Sequence, residues 1–133
     1  MNPLLFEAYV AALYTKQGFQ TYLTPSSNDK GVDVVALSSG RNLLIQAKQT
    51  TSKVGIEAVQ EICAAKRYYE GKFSERFELA ILSNSDFWPS AEVLAVANQI
   101  ELIRRQDLME MMSENDVTIQ EVNRHEFQRL TKV

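Results

Sequence analysis

Residues 31–48 restrict what this chain can fold into more than any other stretch. Gly31-Val32-Asp33-Val34-Val35-Ala36-Leu37 and Arg41-Asn42-Leu43-Leu44-Ile45-Gln46-Ala47-Lys48 are two β-branched or apolar runs joined by Ser38-Ser39-Gly40. That pattern predicts a β-hairpin. Side chains alternate along a strand, so Leu44, Gln46 and Lys48 share one face while Ile45 and Ala47 point to the other. The hairpin therefore sets the Asp33 carboxylate on one strand and an amide oxygen and an ammonium on its neighbour. Gln46 and Lys48 interrupt a run that otherwise reads as buried. Leaving such groups without partners in an apolar interior costs about 2 kcal/mol or more each. A metal ion with a phosphate would hold them.

The rest of the chain supplies layers for that hairpin. Asn2 followed by Pro3 predicts a helix start and Gly18 a stop; between them Leu5, Phe6, Tyr9, Val10, Leu13 and Tyr14 form a broad apolar face, with Glu7 at its edge. Phe19 to Thr24 reads as a short strand, and residues 25–31 as a turn-rich loop. A second helix is expected from about Ile56 to Tyr69, with Gly71 marking its end. Phe77 to Leu82 reads as a strand, Ala91 to Asn98 as a helix, Ile100 to Ile103 as a last core strand and Arg104 to Met112 as a short helix. Val117 to Val133 reads either as a strand plus helix or as a loosely docked tail. The order predicts an α/β fold with a mixed sheet flanked by helices, antiparallel in the hairpin and open to a parallel neighbour after the crossover from Lys48 to Phe77.

Composition narrows the function classes. A chain of 133 residues with 45% hydrophobic content has room for one domain with its own core. The single Cys63 makes no internal disulfide and no ligand cluster, which suits a reducing compartment and argues against zinc. No apolar run reaches the roughly 20 residues of a membrane span, and Met1-Asn2-Pro3 lacks a basic signal-peptide start; the expectation is a soluble, cytoplasmic protein with no membrane partner. A net charge of −3 and a pI near 5.2 argue mildly against coating nucleic acid through bulk positive charge. They leave room for phosphate contacts concentrated in one cleft. There is no phosphate-binding glycine fingerprint.

Phe6-Glu7, Gly18-Phe19, Asn28-Asp29-Lys30-Gly31-Val32-Asp33, Gln46-Ala47-Lys48, the helix beginning near Gly55 and Ser83-Asn84-Ser85-Asp86-Phe87 with Ala91 and Ala95 together resemble the Mrr-type branch of the PD-(D/E)xK restriction-endonuclease-like superfamily. The resemblance covers roughly residues 4 to 108. It implies that Asp33 takes the place of the first motif carboxylate, Gln46 that of the second acidic residue and Lys48 that of the motif lysine, with Glu7 as an additional helix carboxylate. It further implies a metal-dependent DNA endonuclease in which Asp33, Glu7, the Gln46 side-chain oxygen and the Ala47 carbonyl hold Mg²⁺ or Mn²⁺ beside a phosphate, and Lys48 positions the attacking water and stabilises developing negative charge. Two departures matter. Val32 stands where many members have proline, which only shapes the turn into the strand. Gln46 replaces a carboxylate, and a neutral oxygen attracts a divalent cation less strongly.

Each residue also has a structural reading. Asp33 alone would be a strand-end carboxylate or turn cap, Lys48 an edge-strand charge that discourages aggregation, and Gln46 a partner for a neighbouring loop. Their coincidence on adjacent strands favours the functional reading; for Glu7 the two readings are balanced. Asp29 reads as a turn residue, His125 as a surface residue, Cys63 as a core packer and Trp88 as the anchor of a turn. Lys30, Lys53, Lys66 and Arg67, with the main-chain amides of residues 51–53, are the groups expected to meet a phosphate backbone. The expected organisation is a nuclease domain over residues 1–113 and an extension over 114–133 docked on or flanking it. With no separate DNA-reading module, sequence preference would come from loops, DNA shape or a partner protein, and cutting both strands would call for a homodimer. The competing class is a non-catalytic nucleic-acid-binding or protein-interaction module that retains the same fold.

Overall fold

The computed structural model of the chain describes residues 1–27 and 31–133. Five strands form one sheet in the order β1 (Gln20–Leu23), β2 (Val34–Leu37), β3 (Leu43–Lys48), β4 (Glu78–Ser83), β5 (Ile100–Ile103). β1, β2 and β3 run antiparallel and β3, β4 and β5 parallel, so the mixed sheet expected from the sequence is present. β3 lies at the centre. Lys48 therefore stands on a central strand, and the edge-strand reading of that residue does not hold.

Strand alternation sorts the core into two layers. Val34, Ala36, Leu43, Ile45, Ala80, Leu82 and Ile103 pack on one face against α1 (Pro3–Lys16), with Leu108 of α4 (Arg105–Glu114) and Val122 of α5 (Ile119–Phe127). Val35, Leu44, Leu79, Ile81 and Ile100 pack on the other against α2 (Ile56–Phe73) and α3 (Pro89–Ala97). At about 25 cal/mol per Å² these two apolar layers supply the main drive to fold. The partition of Leu44 from Ile45 is the one that alternation predicts, and it leaves Gln46 and Lys48 on the α2 side.

α1 starts where expected: Asn2 Oδ1 accepts from the Leu5 amide at 2.8 Å with Pro3 behind it, and Gly18 at φ +103° lets the chain turn back. The helix is buried almost all round, from Ala8 to Tyr14, because the sheet covers one side and α5 packs on another. In α2 the buried positions Ala58, Val59, Ile62, Ala65 and Tyr69 follow three-to-four spacing. Gly71 does not end this helix. It continues to Phe73, whose ring meets Tyr22, Tyr69 and Phe77, and closes at Ser74 in the left-handed conformation; aromatic packing outweighs the roughly 1 kcal/mol that a mid-helix glycine costs.

The stretch from 117 to 133, ambiguous in sequence, contains α5. Thr118 and Glu121 make a reciprocal capping box at its start. Beyond it the chain crosses the β1 edge, with the Leu130 amide donating to Leu23 O at 3.0 Å, and Val133 packs into the α2 layer. Among the described residues no helix is long and apolar enough to cross a membrane.

Candidate metal and phosphate site

The open end of the β2–β3 hairpin gathers the polar residues that the sequence singled out. Asp33 immediately precedes β2; its amide donates to Ile45 O at 2.8 Å, which sets it opposite Gln46. The Ala47 amide in turn donates to Asp33 Oδ2 at 2.8 Å. Burial pushes the Asp33 carboxyl above its ordinary range, and the Ala47 hydrogen bond and the Lys48 charge pull against that rise. Glu7 reaches the same place from α1. Burial, reinforced by the negative charge of Asp33, raises Glu7 from 4.5 to about 7. The two carboxyl groups hydrogen-bond each other, which adds to the rise at Glu7 and opposes the rise at Asp33.

Gln46 and Lys48 face α2. Gln46 is 2% exposed; its Nε2 donates to Glu61 Oε1 at 3.0 Å, and its Oε1 is buried with no hydrogen-bond partner among the described residues. The same Glu61 Oε1 lies 3.5 Å from Lys48 Nζ. A buried amide oxygen left without a donor is costly, and an oxygen-seeking cation would satisfy it. Among the described residues no group of three His, Cys, Asp or Glu side chains is placed to hold a metal ion. The donors here are two carboxylates and an amide oxygen, an all-oxygen set that fits Mg²⁺ or Mn²⁺ and not zinc.

Two residues at the site escaped the sequence reading. Arg129, with a side chain only 6% exposed, donates to Glu7 Oε1 at 3.0 Å, to Thr24 O at 2.8 Å, to Leu4 O at 3.2 Å and to Glu126. It lies 122 positions from Glu7, and nothing local signals the pairing. Glu61 did carry a signal: it flanks the buried stripe of α2, the helix that covers the strand face bearing Gln46 and Lys48.

The other expected phosphate contacts are not gathered there. Lys53 Nζ lies 5.0 Å from the centre of the Trp88 ring, on the loop between β3 and α2. Lys66 and Arg67 are exposed farther along α2, past Glu61. Lys30 and Asp29 lie outside the described residues. Of the amides expected to bind phosphate, that of Ser52 donates to Thr50 Oγ1, and the helix begins only at Ile56. Trp88 is half exposed and caps no core, although its amide bonds Val54 O. His125 is half-buried, 3.4 Å from Thr15 Oγ1, and burial lowers its pKa. Cys63 packs partly buried against the α2-side core.

Residues 1–112 match the family model Mrr_cat, described as a restriction endonuclease. No curated protein sequence matches the chain. Among solved structures it is similar to AF1548, a protein of unknown function, at 19% identity over 90% of this chain and 74% of that one, with a TM-score of 0.64. It is also similar to the MspJI restriction endonuclease in complex with a 27-mer oligonucleotide, at 23% identity, 82% of this chain, 27% of that one and a TM-score of 0.61. The DNA modification-dependent restriction endonuclease AspBHI gives 19% identity, 95% of this chain, 35% of that one and 0.64. These structures share the fold; the chain spans a minor part of the last two.

Proposed function

We propose, from the premise that this chain belongs to the restriction endonuclease family whose Mrr_cat model it matches, that it is a metal-dependent DNA endonuclease hydrolysing phosphodiester bonds. The observation that carries the reading is the buried Gln46 Oε1, without a partner among the described residues, at the same hairpin end as the hydrogen-bonded carboxyl groups of Asp33 and Glu7. Such a cluster is poorly satisfied by itself and well satisfied by a divalent cation. The solved restriction endonucleases of the same fold, one of them bound to an oligonucleotide and one named for dependence on DNA modification, support DNA as the substrate.

Asp33, Glu7, Gln46 Oε1 and the Ala47 carbonyl would hold Mg²⁺ or Mn²⁺. Bound there, the cation would lower the pKa of a coordinated water and neutralise charge on the scissile phosphate. The protein does the remainder. The Ala47 amide fixes one oxygen of Asp33. Glu7, raised to about 7, would release its proton in a site that holds positive charge. Lys48 orients the water and stabilises negative charge that grows on the phosphate as the water oxygen bonds to phosphorus and the ester P–O bond breaks, the water's proton passing to solvent or the leaving oxygen. Lys53, Lys66 and Arg67, exposed away from the hairpin end, would meet the DNA backbone only farther from the scissile phosphate, and Lys30 is a contact expected from the sequence alone.

The catalytic unit is residues 1–113, with 114–133 as an extension docked on it, working in the cytoplasm. One site per chain cuts one strand at a time, so breaking both strands calls for a homodimer, and sequence preference for loops or a partner protein. The deciding experiment is cleavage of supercoiled plasmid with Mg²⁺ or Mn²⁺ by the wild type, Asp33→Ala and Lys48→Ala. Metal-dependent nicking or linearisation that both substitutions abolish is expected. A folded wild type that cuts nothing and binds neither metal nor DNA would leave the non-catalytic module as the reading.

A further inference from the structure

We infer that Glu61 is a positioning residue that makes Gln46 a cation ligand, by taking the amide nitrogen and so aiming the amide oxygen at the metal position. The inference rests on the nuclease reading above and concerns how a site without its second acidic residue binds metal. A glutamine side chain is ambidextrous: either end of the amide can face a given neighbour. Glu61 removes the ambiguity, because a carboxylate only accepts. With Glu61 Oε1 at 3.0 Å, the Nε2 end must face α2, and a flipped amide would set two acceptor oxygens against each other. Oε1 is thereby left at the other end, buried and without a partner among the described residues.

The contact does more than choose an orientation. A hydrogen bond from an amide N–H to a charged acceptor shifts electron density toward the amide oxygen, which strengthens it as a donor to a cation. This is the manner in which groups behind metal ligands tune affinity. Glu61 Oε1 also stands 3.5 Å from Lys48 Nζ, so one carboxylate spaces both polar side chains of β3. Its own position is fixed by the backbone. Gly31, at φ +93°, packs so tightly on α2 that a Cβ there would sit 2.5 Å from the Glu61 carbonyl oxygen. The turn of α2 that bears Glu61 is thus keyed directly to the segment that leads, two residues later, into Asp33.

A simple half-exposed ion pair between Glu61 and Lys48 would contribute little and would not concern metal. The two accounts part in a binding measurement without DNA. Mn²⁺ binding is read from the loss of the free-ion signal in electron paramagnetic resonance, for the wild type, Glu61→Ala, Glu61→Gln and the double variant Q46E/E61Q. The side chain of Glu61 is 46% exposed, so its substitution leaves the fold intact, and circular dichroism checks this for every variant, including the change at buried Gln46. Glu61→Ala should weaken Mn²⁺ binding at least tenfold and Glu61→Gln, which still accepts from Gln46, by less. In Q46E/E61Q the carboxylate and amide exchange places and the hydrogen bond reverses, so at pH 8, where a proton held by the added buried carboxyl is most readily lost, binding should return to the wild-type level. Wild-type affinity in Glu61→Ala, or no recovery in the double variant, overturns the role of Glu61 alone. A wild type that binds no Mn²⁺ overturns the nuclease reading and this inference with it.

Discussion

Substituting Glu7 by glutamine should make the protein less sensitive to alkaline pH, because folding holds the Glu7 carboxyl well above its ordinary range. Folding raises it from 4.5 to about 7. The causes are burial first and the charge of Asp33 second, with Arg129 opposing both. A group whose folded pKa lies above its unfolded value contributes stability in full below the unfolded pKa and loses it as pH rises through the folded one. The window here runs from 4.5 to about 7. At about 1.4 kcal/mol per pH unit, the loss is about 3 kcal/mol, or about 2 kcal/mol once screening by water at the partly open side chain is allowed for. Asp33 hydrogen-bonds Glu7 and titrates with it, so the difference between the two proteins belongs to the pair. Urea unfolding in EDTA between pH 5 and 8 should therefore show the wild type losing about 2 kcal/mol relative to Glu7→Gln. Saturating Mn²⁺ at pH 8 should restore the wild type by a similar amount and the variant by less, since the cation takes the place of the proton. Stability curves for the two proteins that run parallel across this range would refute the raised Glu7 carboxyl.

Arg129→Met removes the buried cation that meets Glu7 Oε1, Thr24 O and Leu4 O, so it should cost about 3 kcal/mol in urea unfolding at pH 8; an unchanged midpoint would show that the extension does not support the site. Gly31→Ala combines a positive φ with a 2.5 Å approach to Glu61 O and should cost about 3 kcal/mol, seen as a fall of about 10 °C in the melting temperature, whereas wild-type melting would mean that α2 yields at no cost.

What the sequence makes legible is whatever a short period or a local signal encodes. Alternation alone separates Leu44 from Ile45 and predicts that Gln46 and Lys48 share a face, and the Asn2-Pro3 start of α1 follows from capping chemistry. The hairpin is local, with Val34 opposite Ile45, so the meeting of Asp33 with the Gln46 strand can be read before the fold is known. The failures are tertiary. Gly71 looks like a stop until Tyr22, Tyr69 and Phe77 gather round Phe73. Whether Lys48 lies at an edge depends on β4 arriving beside β3 after a crossover. The meeting of Arg129 with Glu7 depends on α5 lying along α1, which no pattern within either segment specifies.

The placement of charge explains why an amide suits position 46. Asp33 and Glu7 already share one buried corner, where burial first and the charge of Asp33 second raise Glu7 to about 7. A third carboxylate on Gln46, at 2% exposure, would either raise all three further or hold another proton, and each held proton must leave before a cation can bind. Glutamine puts a dipole there instead. The acid stands one layer out at Glu61, where a side chain 46% exposed keeps its charge solvated, and its influence reaches the buried oxygen through the Gln46 amide. Arg129 acts oppositely on the α1 side, lowering Glu7 and so easing the loss of its proton. An amide at position 46 thus adds an oxygen to the corner without adding a charge that a buried site would have to hold, which limits the cost to folding of the cluster.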